Sequence, residues 1–489
     1  MKKIYLILSM LFITGAAWAQ QQLNLEQAIA LAQEQSQDAI DARFMYQSEA
    51  WEYEKYQLTF LPTANLNFTP VRYNRSLQQT TLPSFGELGG GVTFFEQENI
   101  STSVGVDIAQ QIAPLNAELS LNTSFARWND LERNNLIYYN TPVNLRYSQK
   151  LFQFNAYRWD RKLKPLQYRR ASKALVEQLE TVAVNVANSY FDVVSAQIEL
   201  ERATEQLANA DTLFRVEQQR MRLGTSQPEK VRSFEIDMIN AELSQVEAEA
   251  KLAEVSMNFK EMLQLDLDQS VKLMVPEELP VKQIDAQMAV ELFERNSPEV
   301  LRLEEDALNA SIEAAQAKAR TGVNGEANIN VGLSEADPEL TNIYRDLQNQ
   351  QGVTVSFSMP ILDWQRAKKD YRLAKVKEET TQSRSARRKK QLALDVRRQV
   401  DQFNIQVRRL EIAKKQMQLA DLNYEYTMKR YMMGSITDVL QVKNASSEQQ
   451  RSWSQYINVL RSYWSQYYSL RQQTLYDFDK GEGIQYIVN

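Results

Sequence analysis

Lys429–Leu440 reads KRYMMGSITDVL, and its one glycine decides the fold. No Gly or Pro occurs from Asp363 to Met433, and none from Ser435 to Lys480. Gly434 therefore stands alone inside a long helical text, as a C′ glycine does where one helix turns back into another. An earlier twin exists. Arg222-Leu223-Gly224-Thr225 separates Gln153–Leu223, whose only breaker is Pro165, from Glu229–Leu265, which has none. The two glycines lie 434 − 224 = 210 residues apart. One chain thus carries two very long helical hairpins.

Around these hairpins the hydrophobic period changes from helical to two. Ala64, Leu66 and Phe68 alternate with Thr63, Asn65 and Asn67, and Val143, Leu145 and Tyr147 with Asn144, Arg146 and Ser148. Ala327, Ile329, Val331 and Leu333 alternate with Asn328, Asn330 and Gly332. Val353, Val355, Phe357 and Met359 alternate with Thr354, Ser356 and Ser358. These short strands carry one apolar face and one Asn/Ser/Thr face. A soluble sheet and a membrane barrel wall both look like this.

An internal repeat organises the parts. Ala28-Ile29-Ala30-Leu31 aligns with Ala289-Val290-Glu291-Leu292, and Ser36 with Ser297, at an offset of 261. Ala64-Asn65-Leu66-Asn67 aligns with Ala327-Asn328-Ile329-Asn330 at 263, whereas Tyr147-Ser148 matches Phe357-Ser358 at 210. The first half therefore holds 263 − 210 = 53 extra residues between its two strands. We expect an additional hairpin within 69–141, from the alternating runs Val104–Ile108 and Leu119–Phe125 around Pro114, plus an irregular loop at Pro83–Gly91. The expected organisation is a signal peptide at 1–19, a first repeat at 20–275 and a second at 276–489, joined at Pro276–Pro280. Strands are expected near 62–72 and 142–152, then near 326–334 and 352–360, with tips near 224 and 434. Leu23–Leu58 reads as one helix.

The helices carry an apolar seam. Val186, Val193, Leu200, Leu207, Phe214 and Met221 recur every seven residues, as do Val396, Phe403, Leu410, Met417, Tyr424 and Tyr431. After the second turn, Trp453, Tyr456, Leu460, Tyr463, Tyr467 and Leu470 step by three and four. This is coiled-coil core spacing. A 71-residue helix, Asp363–Met433, spans roughly 105 Å at 1.5 Å per residue, a length suited to a conduit or spacer across a compartment.

Composition closes off other functions. Lys2-Lys3, the apolar run Ile4–Ile13 and Ala17-Trp18-Ala19 form a signal peptide with an A-x-A site, and removal leaves 54 basic against 62 acidic residues. That balance argues against nucleic acid. There is no Cys and no His, so disulfides, thiolate or imidazole metal sites and His-based triads are absent. No metal, cofactor or catalytic residue is expected. Arg384–Lys390 (RSARRKK) reads as a solvated face or a lipid-headgroup contact, and Met428, Met432 and Met433 as packing. Four to six short strands cannot close a membrane barrel alone, so strands in a membrane require several copies to share one.

Taken together, the chain resembles the TolC-like outer-membrane efflux proteins. The resemblance covers everything after the leader and rests on the duplication, the strand pairs followed by very long helices and the two glycine hairpins. It includes the strand-to-helix corners Tyr147–Asn155 (YSQKLFQFN) and Phe357–Trp364 (FSMPILDW). It implies a mainly α protein with a β membrane part. Three copies would each give four strands to a 12-strand barrel in outer-membrane lipid, continuing into a periplasmic α-helical barrel. It implies a passive exit duct for a tripartite efflux or type I secretion system, opened by a periplasmic adaptor and an inner-membrane pump. Leu223, Gly224, Thr225, Met433, Gly434 and Ser435 would be the adaptor-contacting tips. Tyr431 and Asp438 match the tunnel gate, and three copies of Asp438 would form a carboxylate ring; Asp438 also suits a helix N-cap. The family often has an Arg soon after the second glycine, where this chain has Ser435 and Ile436. A structural or adhesive coiled-coil protein with a small β head is the competing possibility.

Overall fold

The computed structural model describes residues 21–81, 92–268, 271–276, 279–435 and 438–486. The expected signal peptide, the expected loop at Pro83–Gly91, Ile436-Thr437 and part of the Pro276–Pro280 junction lie outside the described residues.

In chain order the elements are β1 (Gln21–Leu23), α1 (Leu25–Gln35), α2 (Gln37–Leu58), β2 (Thr63–Thr81), β3 (Val92–Ile112), β4 (Ala117–Asp130), β5 (Asn135–Leu151), α3 (Ala156–Arg222) and α4 (Pro228–Met262). There follow β6 (Val271–Leu273), α5 (Ala286–Asn296), α6 (Pro298–Ala319), β7 (Asn324–Asp337), β8 (Gln348–Ser358), α7 (Arg366–Met432), α8 (Val439–Thr474), β9 (Tyr476–Asp477) and β10 (Glu482–Gly483). Element lengths repeat. α1 and α5 have 11 residues each, α2 and α6 have 22, and α3 and α7 have 67. α4 and α8 have 35 and 36. Among the described residues no helix is long and apolar enough to cross a membrane, which leaves a β-barrel untouched.

The expected single helix Leu23–Leu58 is two. Ser36 turns extended (φ −65°, ψ 151°), and its hydroxyl accepts the Ala39 N–H at 3.3 Å, opening α2 as it closes α1. Its repeat partner Ser297 is likewise extended between α5 and α6 (φ −63°, ψ 126°) and closes α5.

The chain divides into two units. The first comprises Met1–Ser48, Arg170–Leu301 and Arg387–Asn489. Its core is the predicted seam: Val186, Val193, Val396, Phe403, Leu460 and Tyr463 are all buried. Two buried tyrosines pin the non-helical segments. The Tyr190 hydroxyl donates to the Met274 carbonyl at 2.6 Å, and that of Tyr463 to the Val281 carbonyl at 2.7 Å. Arg471 ties α8 to α3 through Glu180, fully buried, at 3.1 Å and reaches Asp477 at 3.0 Å. Of the basic cluster, Arg387, Arg388 and Lys390 are exposed, while Lys389 pairs with Glu294 at 3.6 Å.

The second unit comprises Glu49–Arg169 and Arg302–Ala386. It holds one antiparallel sheet in the order β2-β3-β4-β5-β7-β8. The strands are longer than the sequence signals, because alternation marks only the stretch where one face is apolar. The sheet has six strands, where the resemblance implies four per chain. The additional hairpin, β3–β4, is inserted in the sheet between β2 and β5 rather than lying over it. A short 3-10 turn at Ala113–Leu115, ending on Asn116 in the left-handed region (φ 53°), reverses the chain between β3 and β4. This turn is fastened to the corner leading into α3: the Asn155 side chain donates to the Ala113 carbonyl at 2.9 Å, and the Lys150 N–H to that of Asn116 at 3.1 Å. Pro70 and Pro142, which lack an N–H, sit where the register slips.

Register separates the faces across the sheet. Ala64, Ile108, Leu121, Leu145 and Val331 stand opposite one another in turn. One residue along lie Asn65, Asp107, Asn122, Asn144, Gly332 and Gln350, one from each strand. Leu121, Leu145 and Val331 are exposed, whereas Asp107, Asn122 and Asn144 are half-buried. The polar face is crowded enough to need glycine. A Cβ on Gly105 of β3 would lie 2.9 Å from the Thr123 carbonyl oxygen, and one on Gly332 of β7 would lie 2.7 Å from that of Val143.

Candidate functional site

The two glycine turns have one geometry. Gly224 has φ +73° and Gly434 φ +75°. The Gly224 N–H donates to Met221 at 3.0 Å and the Thr225 N–H to Arg220 at 2.8 Å. Gly434 donates to Tyr431 at 3.0 Å and Ser435 to Arg430 at 3.0 Å. Each pair of bonds is a Schellman closure, which satisfies the last carbonyls of α3 and α7 and requires a left-handed C′ residue. Nothing lies within 4 Å of a Cβ at either glycine, so backbone conformation alone selects the residue. After the first turn, Pro228 takes the opening position of α4. After the second, the Asp438 carboxylate accepts the Leu440 N–H at 3.0 Å and caps α8.

The turns differ in what lies behind them. Tyr431, in the last turn of α7, is buried, and its hydroxyl donates to Glu217 Oε1 at 2.9 Å. Glu217, on α3, is only 3% exposed. It also accepts from Arg220 at 2.7 Å and from the Ser226 hydroxyl at 2.6 Å, beyond Gly224. The Arg220 guanidinium lies over the Tyr431 ring, 5.3 Å from its centroid. Phe234 of α4 approaches the same ring at 6.4 Å, and Leu213 and Val442 complete a small buried cluster. One carboxylate thus joins the last turn of α3, the start of the returning chain and the last turn of α7.

The electrostatics follow from the contacts. Burial opposes the Glu217 charge, but hydrogen bonds from Ser226, Tyr431 and Arg220 outweigh it and hold the carboxyl below its ordinary pKa. Burial, and then the hydrogen bond to Glu217 and its charge, push the Tyr431 hydroxyl upward, so it stays protonated and donates. Beside this cluster lies a cavity of about 240 Å³ bordered by Phe234, Tyr424 and Tyr431. Lys443 and Asp237, which also line it, pair at 2.6 Å.

Tyr431 is therefore placed inside the chain against the first tip. Asp438 is exposed and, among the described residues, is not brought into the Glu217 network. Leu223, Gly224, Thr225, Met433, Gly434 and Ser435 are all exposed, Leu223 and Met433 strongly so. Glu217, Arg220, Ser226 and Phe234 escape sequence reasoning. One signal existed for Glu217: stepping three residues from Phe214 and four to Met221 lands an acid on the apolar seam. Among the described residues no group of metal-binding side chains occurs.

No curated protein matches the chain. Among solved structures, the Campylobacter jejuni CmeC outer membrane channel matches with a TM-score of 0.62 at 13% identity, covering 92% of this chain and 85% of that one. The outer membrane protein VceC of Vibrio cholerae matches with 0.62 at 10% identity, covering 92% and 95%. The open state of the Neisseria gonorrhoeae MtrE outer membrane channel matches with 0.59 at 15% identity, covering 92% and 88%. At these identities the likeness establishes the fold. The family model for the outer membrane efflux protein matches residues 96–263 and 292–474, a stretch holding both glycine turns and the Glu217–Tyr431 contact. This chain, with its paired helical hairpins, thus belongs to the outer membrane efflux protein family.

Proposed function

We propose that this outer-membrane protein is the exit duct of a tripartite efflux or type I secretion system. It is a passive conduit, not an enzyme. Three copies share one β-barrel in outer-membrane lipid, and their helices line a periplasmic tunnel. A periplasmic adaptor and an inner-membrane pump open it, and the pump selects the cargo.

The observation that carries this reading is the open six-stranded sheet. Apolar side chains such as Leu121 and Leu145 are exposed on one face, amide and hydroxyl side chains occupy the other, and β2 and β8 are edge strands. Unpaired edges are costly in hydrocarbon, so a sheet of this polarity in a membrane closes on further copies of itself. A periplasmic spacer with a β head has no use for an exposed apolar face backed by a polar one.

The tips form the closed end. Glu217 holds Tyr431 against the first hairpin, so opening separates α3 from α7 at this contact. Three Asp438 carboxylates form a ring that favours cations, each also capping its own helix. Leu223 and Met433, apolar and exposed at the turns, meet the adaptor. Extraction and chemical cross-linking test the assembly. The protein is expected to require detergent and to cross-link as a trimer; a monomer released by salt alone contradicts the duct.

A further inference from the structure

The β3–β4 hairpin carries the same two faces, in register, as the strands on either side of it. Ile108 and Leu121 continue the apolar row from Ala64 to Leu145, and Asp107 and Asn122 continue the polar row from Asn65 to Asn144. A lumen plug or an extracellular flap has no reason to keep an apolar row aligned with that of its neighbours. Pairing is extensive: β3 pairs with β2 from Thr63↔Ala109 to Thr81↔Val92, and with β4 from Asn99↔Asp130 to Ile112↔Ala117. Gly105 relieves crowding on the polar face of β3, as Gly332 does on β7. The Ala113–Leu115 turn is buttoned to the corner that leads into α3, so the hairpin ends level with the other strands. Parity agrees as well. Six alternating strands leave β8 antiparallel to the β2 of a next copy, as barrel closure requires.

We infer that all six strands are membrane wall, so the shared barrel has 3 × 6 = 18 strands rather than twelve. This rests on the trimeric duct proposed above. Barrel diameter grows nearly linearly with strand number, so the pore at the membrane is about 1.5 times wider than a twelve-stranded one. Eighteen strands is the size at which barrels leave an open aqueous channel. The membrane section then does not select cargo by size, and restriction falls to the helical tips.

The test images the purified trimer in lipid nanodiscs by electron cryomicroscopy and counts wall strands. Eighteen is expected. A second measurement uses the cysteine-free chain. Asn122→Cys is expected to react with a water-soluble maleimide in intact membranes, and Leu121→Cys to lose that labelling to lipid. A trimer with twelve wall strands and both cysteines labelled overturns the count and leaves the duct standing. A dimer with twelve strands overturns the count and the trimer together. A monomer extracted without detergent overturns the duct itself.

Discussion

The Tyr431 hydroxyl donates to the buried carboxylate of Glu217 across 2.9 Å, joining the last turn of α7 to α3. This hydrogen bond helps to fasten two hairpins that lie 210 residues apart in sequence, with Arg220 and Ser226 on the same acid.

Tyr431→Phe removes that bond and keeps the ring in its cluster. Glu217 retains two donors, so the expected loss is about 1–2 kcal/mol of local stability. Tyr431→Ala also empties the space between Phe234 and Val442 and is expected to cost about 3–5 kcal/mol. Hydrogen exchange at the tip amides of α3 and α7 measures both, with the Phe variant accelerated less than the Ala variant.

Acid is expected to release the same contact. The pKa of Glu217 is held below its ordinary value of 4.5 in the folded chain. A depressed carboxyl stabilises the fold above its unfolded pKa, and that contribution is lost as pH falls through the folded value. Tip amides should therefore exchange faster, after correction for intrinsic rates, as pH drops below 4.5. Glu217→Gln should remove most of that dependence.

Gly434→Ala meets no steric obstacle, since nothing lies within 4 Å of the new methyl group. Its effect is conformational, because an L-residue is forced to φ near +75°. The expected cost is about 1 kcal/mol, and Gly224→Ala should cost the same. Both variants should still insert in the outer membrane, with the change confined to exchange rates at the turns.

The helix cap made by Asp438 is separable from the gate role proposed for it. Asn caps helices as well as Asp, whereas Ala loses about 1 kcal/mol at the N-cap. If three carboxylates set ion preference, Asp438→Asn and Asp438→Ala reduce cation selectivity equally, as reversal potentials in asymmetric salt report. Only Asp438→Ala should loosen the first turn of α8.

Much of the fold is legible in the chain because it is local. Gly224 and Gly434 announce the turns, since a left-handed C′ residue is a property of the glycine itself. The repeat aligns Ser36 with Ser297, but that both break a helix was not legible, because a serine inside a helical text signals no break on its own. Strand number was harder. The alternation of Val104–Ile108 and Leu119–Phe125 reveals which face each residue takes but not which strand lies beside it, because register is a non-local quantity. Glu217 was harder still. In a helix rich in Glu a buried acid looks like an exposed one, and only its seam position between Phe214 and Met221 sets it apart.

The most direct test of the duct and its latch is conductance in planar lipid bilayers, wild type beside Tyr431→Phe. The purified wild-type protein is expected to give discrete single-channel steps, and Tyr431→Phe larger ones if, as proposed, the Glu217–Tyr431 contact holds the tip closed. A protein that inserts but gives no current contradicts the duct, and identical steps in the two contradict the latch.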